Sequence, residues 1–390
     1  MNLREETERL RLELEKLDGV RVRVALFGQP GAGKSSLINA LIGRDVAEAG
    51  ERTDTTVEAQ SYHHDGVEYT DLPGFGTTRF PAATYWERFQ ISDHDLLLCV
   101  KDGKFTLEDD RLFFDEIWKR GKVCLFVHNK LDTLWSSSKT LEQVKQELTL
   151  ELAQRIAPHR APLIFTSCRT RAGLDALERS IWEHLPEAKR ERWERAVAAY
   201  SDEWLERKRK VIEREVYVCA ALSAVNGFNP IPGADLAIDL STLAGLLVRI
   251  RGHYGLSDKR LERYLQVAPA AKLVVDKLLQ YATREGLMRL LRRFASQALQ
   301  RQVSKYIPLV GQTVAAMVGY GVTLQVGFEF LDTCHKLARE VMQAELAQRG
   351  PVTDATTSLA ATPPALNASF SSATPTIPRA DKEPDSENGK

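Results

Sequence analysis

The sequence predicts an α/β domain with a mainly parallel sheet, joined to an all-α domain built from the N-terminal helix and the C-terminal half. Three observations predict this fold class. At residues 22–42 an apolar strand, a glycine-rich loop and a helix follow one another without interruption. Further strands are predicted after it, at residues 67–70, 95–100, 123–127 and 162–166. The second and third of these are almost continuously apolar, as expected of strands covered on both faces. From Pro186 to about Gln348 the apolar spacing becomes helical.

The glycine-rich loop has the pattern G-x-x-x-x-G-K-S, which is typical of a phosphate-binding loop between a strand and a helix. Glycine lets backbone N–H groups approach a polyphosphate closely, and the following helix N-terminus adds a positive dipole end. The lysine can reach the β and γ phosphates, and the serine hydroxyl can bind Mg²⁺. A chance glycine-rich turn would not be flanked by strand and helix in this order. The predicted phosphate-binding residues are Gly28, Gly31, Gly33, Lys34, Ser35 and Ser36.

A second motif, D-x-x-G, begins at Asp71, where the predicted strand 67–70 ends, and closes at Gly74. The aspartate can hold Mg²⁺ through a water, and the glycine N–H can contact a γ-phosphate, so the loop can respond to hydrolysis. Alone this motif is weak, but its place after a strand strengthens it. We expect Asp71 and Ser35 to share the Mg²⁺ site.

A third motif indicates which base is bound. The strand 123–127 leads into Asn129-Lys130-Leu131-Asp132, which matches N-K-x-D. The carboxylate of Asp132 can accept the N1 proton and the exocyclic amine of guanine, whereas adenine would leave it unpaired. Ser167-Cys168-Arg169 follows the next strand, where GTPases carry S-A-K; this match is partial, and an ordinary turn is its alternative. Together the motifs predict a P-loop GTPase domain that binds guanine nucleotide.

Composition argues against nucleic-acid-binding, disulfide-rich and secreted classes of protein. Lys plus Arg equals Asp plus Glu at 53 each, so no global field favours nucleic acid, and we expect no nucleic-acid partner. The five cysteines are scattered without a C-x-x-C, which indicates reduced thiols rather than a disulfide framework or a zinc site. The charged first twenty residues predict no signal peptide. We therefore expect a cytoplasmic protein, and a peripheral membrane position stays open.

The sequence predicts helices on both sides of the G-domain motifs. Residues 3–17 are predicted to form an amphipathic helix that Asp18-Gly19 ends, and residues 187–225 one long helix. The next helix, 234–248, carries Asp235 and Asp239 one turn apart, and a solvated stripe is favoured over a site.

Three later segments indicate whether the chain binds a membrane, spans one or is disordered. Residues 284–305 are predicted to form a basic amphipathic helix that fits an anionic membrane surface or a solvated domain face equally well. The uncharged, glycine-rich stretch 307–328 favours a buried core helix over a membrane span. The Ser-, Thr- and Pro-rich residues 349–390 predict a disordered tail.

With these motifs in this order, the chain resembles the immunity-related GTPases of the interferon-inducible type. The stretches that carry the resemblance are 31–41, 71–85, 126–132, 184–190 and 230–233. The resemblance covers about residues 1–345 and implies a Ras-like P-loop G domain, with GTP and GDP as substrate and product, flanked by a helical domain. The implied boundaries are an N-terminal helix at 1–18, a G domain at 19–185, a helical domain at 186–348 and a tail at 349–390.

The resemblance also implies an activity and the residues that carry it. Its members bind GTP and GDP with Mg²⁺, hydrolyse GTP slowly, self-associate in the GTP state as dimers or oligomers and often act at intracellular membranes. Thr56 falls at the switch threonine, so it joins Ser35 and Asp71 as a metal ligand and Lys34 as a catalytic residue. Asn129 stands where many members have threonine. A soluble switch that recruits an effector, and a nucleotide-dependent scaffold with negligible turnover, remain open alternatives.

Phe75, directly after D-x-x-G, stands where Ras-like enzymes carry the glutamine that orients the attacking water. A phenyl ring has no donor or acceptor for that task. We therefore expect a slow isolated subunit whose site a second subunit completes, or else a slow enzyme in which the backbone alone positions the water.

Overall fold

A computed structural model describes residues 20–47, 59–73, 82–103, 108–226, 234–281 and 311–348, with isolated positions between 9 and 19 and between 283 and 289. Several sequence predictions therefore lie outside the described residues: Thr56, Gly74, Phe75, the turn 230–233, nearly all of the basic segment 284–305, and the tail 349–390. The described positions of the N-terminal helix are helical as far as Gly19, so Asp18-Gly19 does not end it where predicted. The amide of Val20 still donates to the Lys16 carbonyl at 3.2 Å.

The described part contains a six-stranded sheet with the order β2-β3-β1-β4-β5-β6, and all neighbouring strands are parallel except β2 and β3. The strands are β1 (Val22–Gly28), β2 (Gln60–His64), β3 (Val67–Asp71), β4 (Leu96–Lys101), β5 (Val123–His128) and β6 (Leu163–Phe165). The predicted mainly parallel α/β fold is confirmed. The edge strand β2 was not predicted, because its five residues, Gln-Ser-Tyr-His-His, show no apolar alternation.

Helices cover both faces of the sheet and continue as the helical half. The helices of the first half are α1 (Lys34–Ile42), α2 (Ala82–Arg88), α3 (Glu108–Lys119), α4 (Leu141–Ile156) and α5 (Leu174–His184). Those of the second half are α6 (Glu187–Ala196), α7 (Asp202–Asn226), α8 (Ala234–His253), α9 (Asp258–Val267), α10 (Lys272–Tyr281) and α11 (Gly311–Ala347). Strands β1, β4 and β5 are almost wholly buried, which is why they appear in the sequence as continuous apolar runs.

The prediction of one helix over 187–225 is wrong, because the structure has two helices, α6 and α7, separated by Val197–Ser201. No glycine or proline causes this break. The buried carboxyl group of Glu178 accepts the amides of Ala199 at 3.2 Å and Tyr200 at 3.3 Å. The amide of Ala198 donates to the Leu41 carbonyl at 3.1 Å. These partners satisfy amides that would otherwise bond within a helix, so tertiary contacts hold the chain out of the helical conformation there, with Ala199 at φ 65°.

One face of the sheet and the helical half share a single apolar core. It runs from β1 and β3 through the buried indole of Trp193 on α6 to α7, α8 and α11. The opposite face has its own core under α2, α3 and α4. The predicted boundary between residues 185 and 186 stays a prediction, since the described residues up to Gln348 belong to one compact unit.

Helix α11 contains most of the stretch 307–328. Its described side chains include buried Val322 and Val326, and the helix packs along α7. This agrees with the predicted core helix. None of the helices in the described ranges is both long enough and apolar enough to cross a membrane. The side chains of Asp235 and Asp239 on α8 lie outside the described set, so their predicted solvated position stays untested.

Candidate nucleotide-binding site

The predicted motifs lie at the carboxyl edge of the sheet because three parallel strands end there. Strand β1 ends at Gly28, which pairs in register with Val100 of β4, and Leu26 pairs with Asp71 at the end of β3. Strand β5 ends at His128, directly before the N-K-x-D motif. The carboxyl edge of a parallel sheet is where ligands bind in open α/β folds.

Two glycines of the loop are required by close packing and by backbone conformation. Gly28 has φ 137°, and a Cβ there would lie 2.0 Å from the Val100 carbonyl oxygen. Gly33 has φ 86°, and its Cβ would lie 2.4 Å from the Asn129 side-chain nitrogen. Side chains at these positions would push the loop away from the strand ends. Gly31 also has positive φ, with open space around it.

Lys34 is the first residue of α1, and its side chain folds back into the loop. It is buried, and its Nζ lies 3.5 Å from the Gly28 carbonyl and 3.4 Å from the Gln29 carbonyl. Burial lowers the pKa of Lys34, and the nearby Asp71 carboxylate opposes that change. Both contacts are long for an ammonium group. A phosphate in the loop would therefore give this cation the strong partner that the loop carbonyls do not supply.

The residues predicted to share Mg²⁺ are in contact. The Ser35 hydroxyl donates to Asp71 Oδ2 at 2.5 Å. The other carboxylate oxygen, Oδ1, is buried and has no hydrogen-bond partner among the described residues. Burial raises the pKa of Asp71, while Lys34 and Ser35 oppose the shift. Mg²⁺ prefers hard oxygen ligands, so a hydroxyl and an orphaned carboxylate oxygen at the phosphate loop suit this ion.

Asn129 ties two loops together. Its Nδ2 donates to the Ala32 carbonyl in the phosphate loop at 3.0 Å. Its Oδ1 accepts from the Thr166 hydroxyl at 3.2 Å and from the Cys168 thiol at 3.4 Å. Thr166 was not predicted as a site residue; the signal was a hydroxyl at the end of the strand 162–166. Asn129 therefore fixes the distance between the phosphate loop and the base-binding loops.

Asp132 is held by two donors from the loop after β6. The Ser167 hydroxyl donates to one carboxylate oxygen, and Arg169 Nε donates to the other at 2.6 Å. Burial acts to raise the pKa of Asp132, but these two hydrogen bonds outweigh it and the pKa is lowered. Asp132 therefore stays ionised and oriented at neutral pH, as an acceptor of two guanine N–H groups must be. Arg169 was named in the sequence only as a departure from S-A-K.

The remaining predicted residues surround the same opening. Lys130 adopts φ 58°, and its ammonium pairs with Asp102 at 2.6 Å, a partner that no motif signalled. Burial raises the pKa of the Cys168 thiol to about 11, so it stays a neutral donor. Gly33, Ser36, Asn129, Asp132 and Cys168 line a cavity of about 660 Å³ that extends to Arg260 of α9. All described motif residues thus lie together at this edge.

A phosphate loop, an adjoining Ser–Asp pair and an Asn–Asp loop at one sheet edge define a P-loop protein of the GTP-binding class. Comparison with known proteins gives the family. The model of the Interferon-inducible GTPase (IIGP) family matches residues 1–344, and the chain belongs to this family. It is therefore a GTPase. The resemblance given by the sequence motifs is confirmed.

Individual relatives extend over most of the chain. Interferon-inducible GTPase 5 of Bos taurus is 28% identical over 341 residues, which cover 80% of this chain and 73% of the relative. Interferon-gamma-inducible GTPase 10 of Mus musculus is 25% identical over 268 residues, which are 64% of each chain. The crystal structure of an Aquifex aeolicus Era variant bound to GDP.AlF4- has a TM-score of 0.34 and 19% identity, and the match covers 52% of this chain and 67% of that one.

Proposed function

We propose that this GTPase binds guanine nucleotide with the base on Asp132, the phosphates in the loop Gly28–Ser36 and Mg²⁺ at Ser35 and Asp71. The observation that carries the proposal is the Asn129 bridge, which joins the base-binding loop to the phosphate loop through the Ala32 carbonyl at 3.0 Å. A single nucleotide can therefore contact both loops at once. Thr56 and Gly74 would complete the phosphate and metal contacts from their motifs.

Each group has a task in hydrolysis. The Lys34 ammonium and the loop amides would stabilise negative charge that develops on the transferring phosphoryl group. When bound, Mg²⁺ would neutralise charge on the β and γ oxygens. Asp71 and Ser35 would orient the ion, since their oxygens already meet at 2.5 Å. No described side chain is assigned to orient the attacking water, and Phe75 cannot do it.

Base specificity is tested by Asp132→Asn. The amide keeps one acceptor for N1–H and gains a donor for the O2 of xanthine, so GTP affinity should fall by about a hundredfold or more while xanthosine triphosphate gains. Fluorescent nucleotide titration measures both affinities. The matched control is Asp93→Asn, an exposed carboxylate beyond the opposite end of β4, which should leave GTP preference unchanged. Equal affinity of the unaltered chain for ATP and GTP would refute the assignment.

We also propose that the subunits associate through the nucleotide face in the GTP state. Trp135, three residues after Asp132, is 80% exposed, and Arg169, which contacts Asp132, is also exposed. Large aromatic and arginine side chains in such positions are the usual anchors of protein interfaces. A second subunit at this face could supply the group that Phe75 lacks.

Turnover per molecule should then rise with protein concentration, and Trp135→Ala should reduce that rise without changing GDP affinity. Thr56→Ala should also remove the rise, by loosening the Mg²⁺-held loop. Specific activity that stays constant over a hundredfold range, from a concentration where the chain is monomeric, would contradict the proposal. A persistent GTP-bound monomer in size-exclusion chromatography would instead favour a soluble switch that recruits an effector.

Membrane action is proposed from the sequence of residues 284–305. Each basic residue near an anionic surface contributes about 1 kcal/mol, so Arg292 and Arg293 with their neighbours could hold a folded protein reversibly. Liposome flotation should show binding to anionic lipid that salt weakens, and Arg292→Glu with Arg293→Glu should abolish it. Binding that survives high salt and alkaline carbonate would contradict a purely peripheral contact.

A further inference from the structure

The turn between β2 and β3 lies against the helical half and is held there by a histidine. His253, the last residue of α8, lies between two carboxylates. Its Nδ1 is 2.6 Å from Asp65 Oδ2 in the turn, and its Nε2 is 3.3 Å from Glu215 Oε2 of α7. We refer to Asp65, His253 and Glu215 as the hairpin bridge. It links sequence positions that lie far apart, on the sheet and on two helices.

The hairpin bridge is buried and ionic. The His253 side chain is 8% exposed and that of Glu215 is 2% exposed. Burial acts to lower the pKa of His253, but the two carboxylates outweigh it and the pKa is raised. The pKa values of Asp65 and Glu215 are lowered, because the hydrogen bonds from His253 outweigh their own burial. A doubly protonated imidazole that donates to both carboxylates accounts for all three directions. Arg195 also pairs with Glu215 at 3.2 Å, and Arg192 with Asp65 at 3.7 Å, so the hairpin bridge is part of a larger buried ionic cluster.

The backbone of the turn between β2 and β3 is also packed closely against the helical half. Gly66 has φ 80°, and a Cβ there would lie 2.6 Å from Cδ of the Arg192 side chain on α6. Arg192 donates to the Asp65 carbonyl at 3.3 Å. Buried Lys208 donates to the His253 carbonyl at 2.5 Å, which fixes the end of α8. The turn cannot shift without moving the residues that surround it.

The other end of the same strand lies in the nucleotide site. Strand β3 runs from Val67, next to the turn, to Asp71, whose carboxylate contacts Ser35. Five residues of extended chain span about 16 Å. Pairing with β1 along the strand makes it a stiff connection between the two ends. A change in the ligands of Asp71 therefore acts on one end of an element whose other end is fixed in the helical half.

We propose that strand β3 and the hairpin bridge couple the nucleotide site to the carboxyl end of α8, so that nucleotide loading changes the local stability of residues 245–257. This inference rests on the proposed nucleotide binding at Ser35 and Asp71. It assigns His253 and Asp65 as positioning residues that act through β3. Coupling of this kind is reciprocal, so breaking the bridge must also change nucleotide affinity.

The test is hydrogen–deuterium exchange of the full chain, without nucleotide and loaded with Mg²⁺ and a non-hydrolysable GTP analogue. We expect slower exchange at residues 28–36 and 60–71 on loading, together with a change at 245–257. In Asp65→Asn the first two responses should remain, and the response at 245–257 should be lost. Affinity for the analogue should change about fivefold in the same variant.

A matched control removes a different ion pair between the two halves. Lys189 on α6 pairs with Asp95 before β4 at 2.6 Å, at the same edge of the sheet but two strands from the turn. Lys189→Ala should therefore keep the response at 245–257. His253→Gln, which cannot bridge two carboxylates as a cation, should lose it in the same way as Asp65→Asn. The pair of variants keeps the test valid if one of them does not fold.

The outcomes separate the two proposals. Protection at 28–36 with no change at 245–257 in the unaltered chain would overturn the coupling and leave nucleotide binding intact. A response at 245–257 that persists in both bridge variants would overturn the role of the hairpin bridge. No protection at 28–36 would overturn the proposed nucleotide site and the coupling with it.

Discussion

Glu178 on α5 should make the stability of the chain fall as pH rises towards neutrality. Its side chain is wholly buried and accepts the amides of Ala199 and Tyr200 at 3.2 and 3.3 Å. Charge-assisted bonds to a carboxylate are shorter, about 2.7–2.9 Å, so these lengths suit a neutral carboxyl group. Burial raises the pKa of Glu178 to about 8, although the hydrogen bonds from Tyr200 and Ala199 and the charge of Lys208 oppose the shift.

The sign follows from proton counting. The ordinary pKa of glutamate is 4.5, and that of Glu178 in the folded chain is about 8. Between these values the folded state binds more protons than the unfolded state, so the free energy of unfolding decreases as pH rises. One proton gives a slope of about 1.4 kcal/mol per pH unit. Across the window the loss is on the order of 5 kcal/mol, and the slope vanishes once both states are protonated, below the ordinary glutamate pKa.

Glu178→Gln removes the titration while keeping the shape and one acceptor. Urea denaturation of both chains at about pH 5.5, 6.5 and 7.5 gives the free energy of unfolding, and the difference between the chains cancels the groups that they share. We expect this difference to shift in favour of the Glu178→Gln chain by about 1.4 kcal/mol per pH unit. The buried cation Lys208, whose pKa burial lowers to about 8, changes charge mainly above this range. A difference that stays constant across the three pH values would refute the reasoning.

Two further substitutions test the phosphate loop and the contact between Tyr200 and helix α1. Gly33→Ala places a Cβ 2.4 Å from the Asn129 side chain at φ 86°, so fluorescent GDP titration should show affinity lowered at least tenfold; Gly245→Ala, where nothing lies within 4 Å, is the control and should not change it. Tyr200→Phe removes the hydrogen bond from its hydroxyl to the Ala40 carbonyl, 2.5 Å long, and should cost about 1 kcal/mol, seen as a Tm lower by about 2 °C. An unchanged Tm would show that the bond contributes nothing net.

The sheet and the motifs could be predicted because their information is local. Buried parallel strands have continuous apolar sequences, and each motif directly follows one of them, so the GTPase class and the sheet type followed without a structure. The glycine pattern of the phosphate loop is also local. The contacts that make Gly28 and Gly33 necessary are with Val100 and Asn129, which lie far along the chain.

The rest depends on residues far apart in the chain. The break between α6 and α7 is held by Glu178 and by the Leu41 carbonyl, and no local propensity reveals such partners. A weak local signal existed, since Ser201 caps α7 by accepting the Trp204 amide at 3.4 Å. The pairing of Lys130 with Asp102 and of Arg169 with Asp132 likewise depends on how the loops meet. Edge strand β2 contributes only Tyr62 to the apolar core, so its sequence has no apolar period to detect.

The apolar core that passes from the sheet through Trp193 into α7 and α11 has a consequence for how the chain denatures. Cutting this core at any point would expose large apolar surfaces on both pieces, so neither half has a low-energy way to melt while the other persists. Melting is then expected as one cooperative transition of the whole unit. By mass action, any ligand that binds only the folded chain adds RT ln(1 + [L]/Kd) to the stability of that transition. A nucleotide held at the sheet edge would thus protect the whole length of helix α11 against heat and proteolysis.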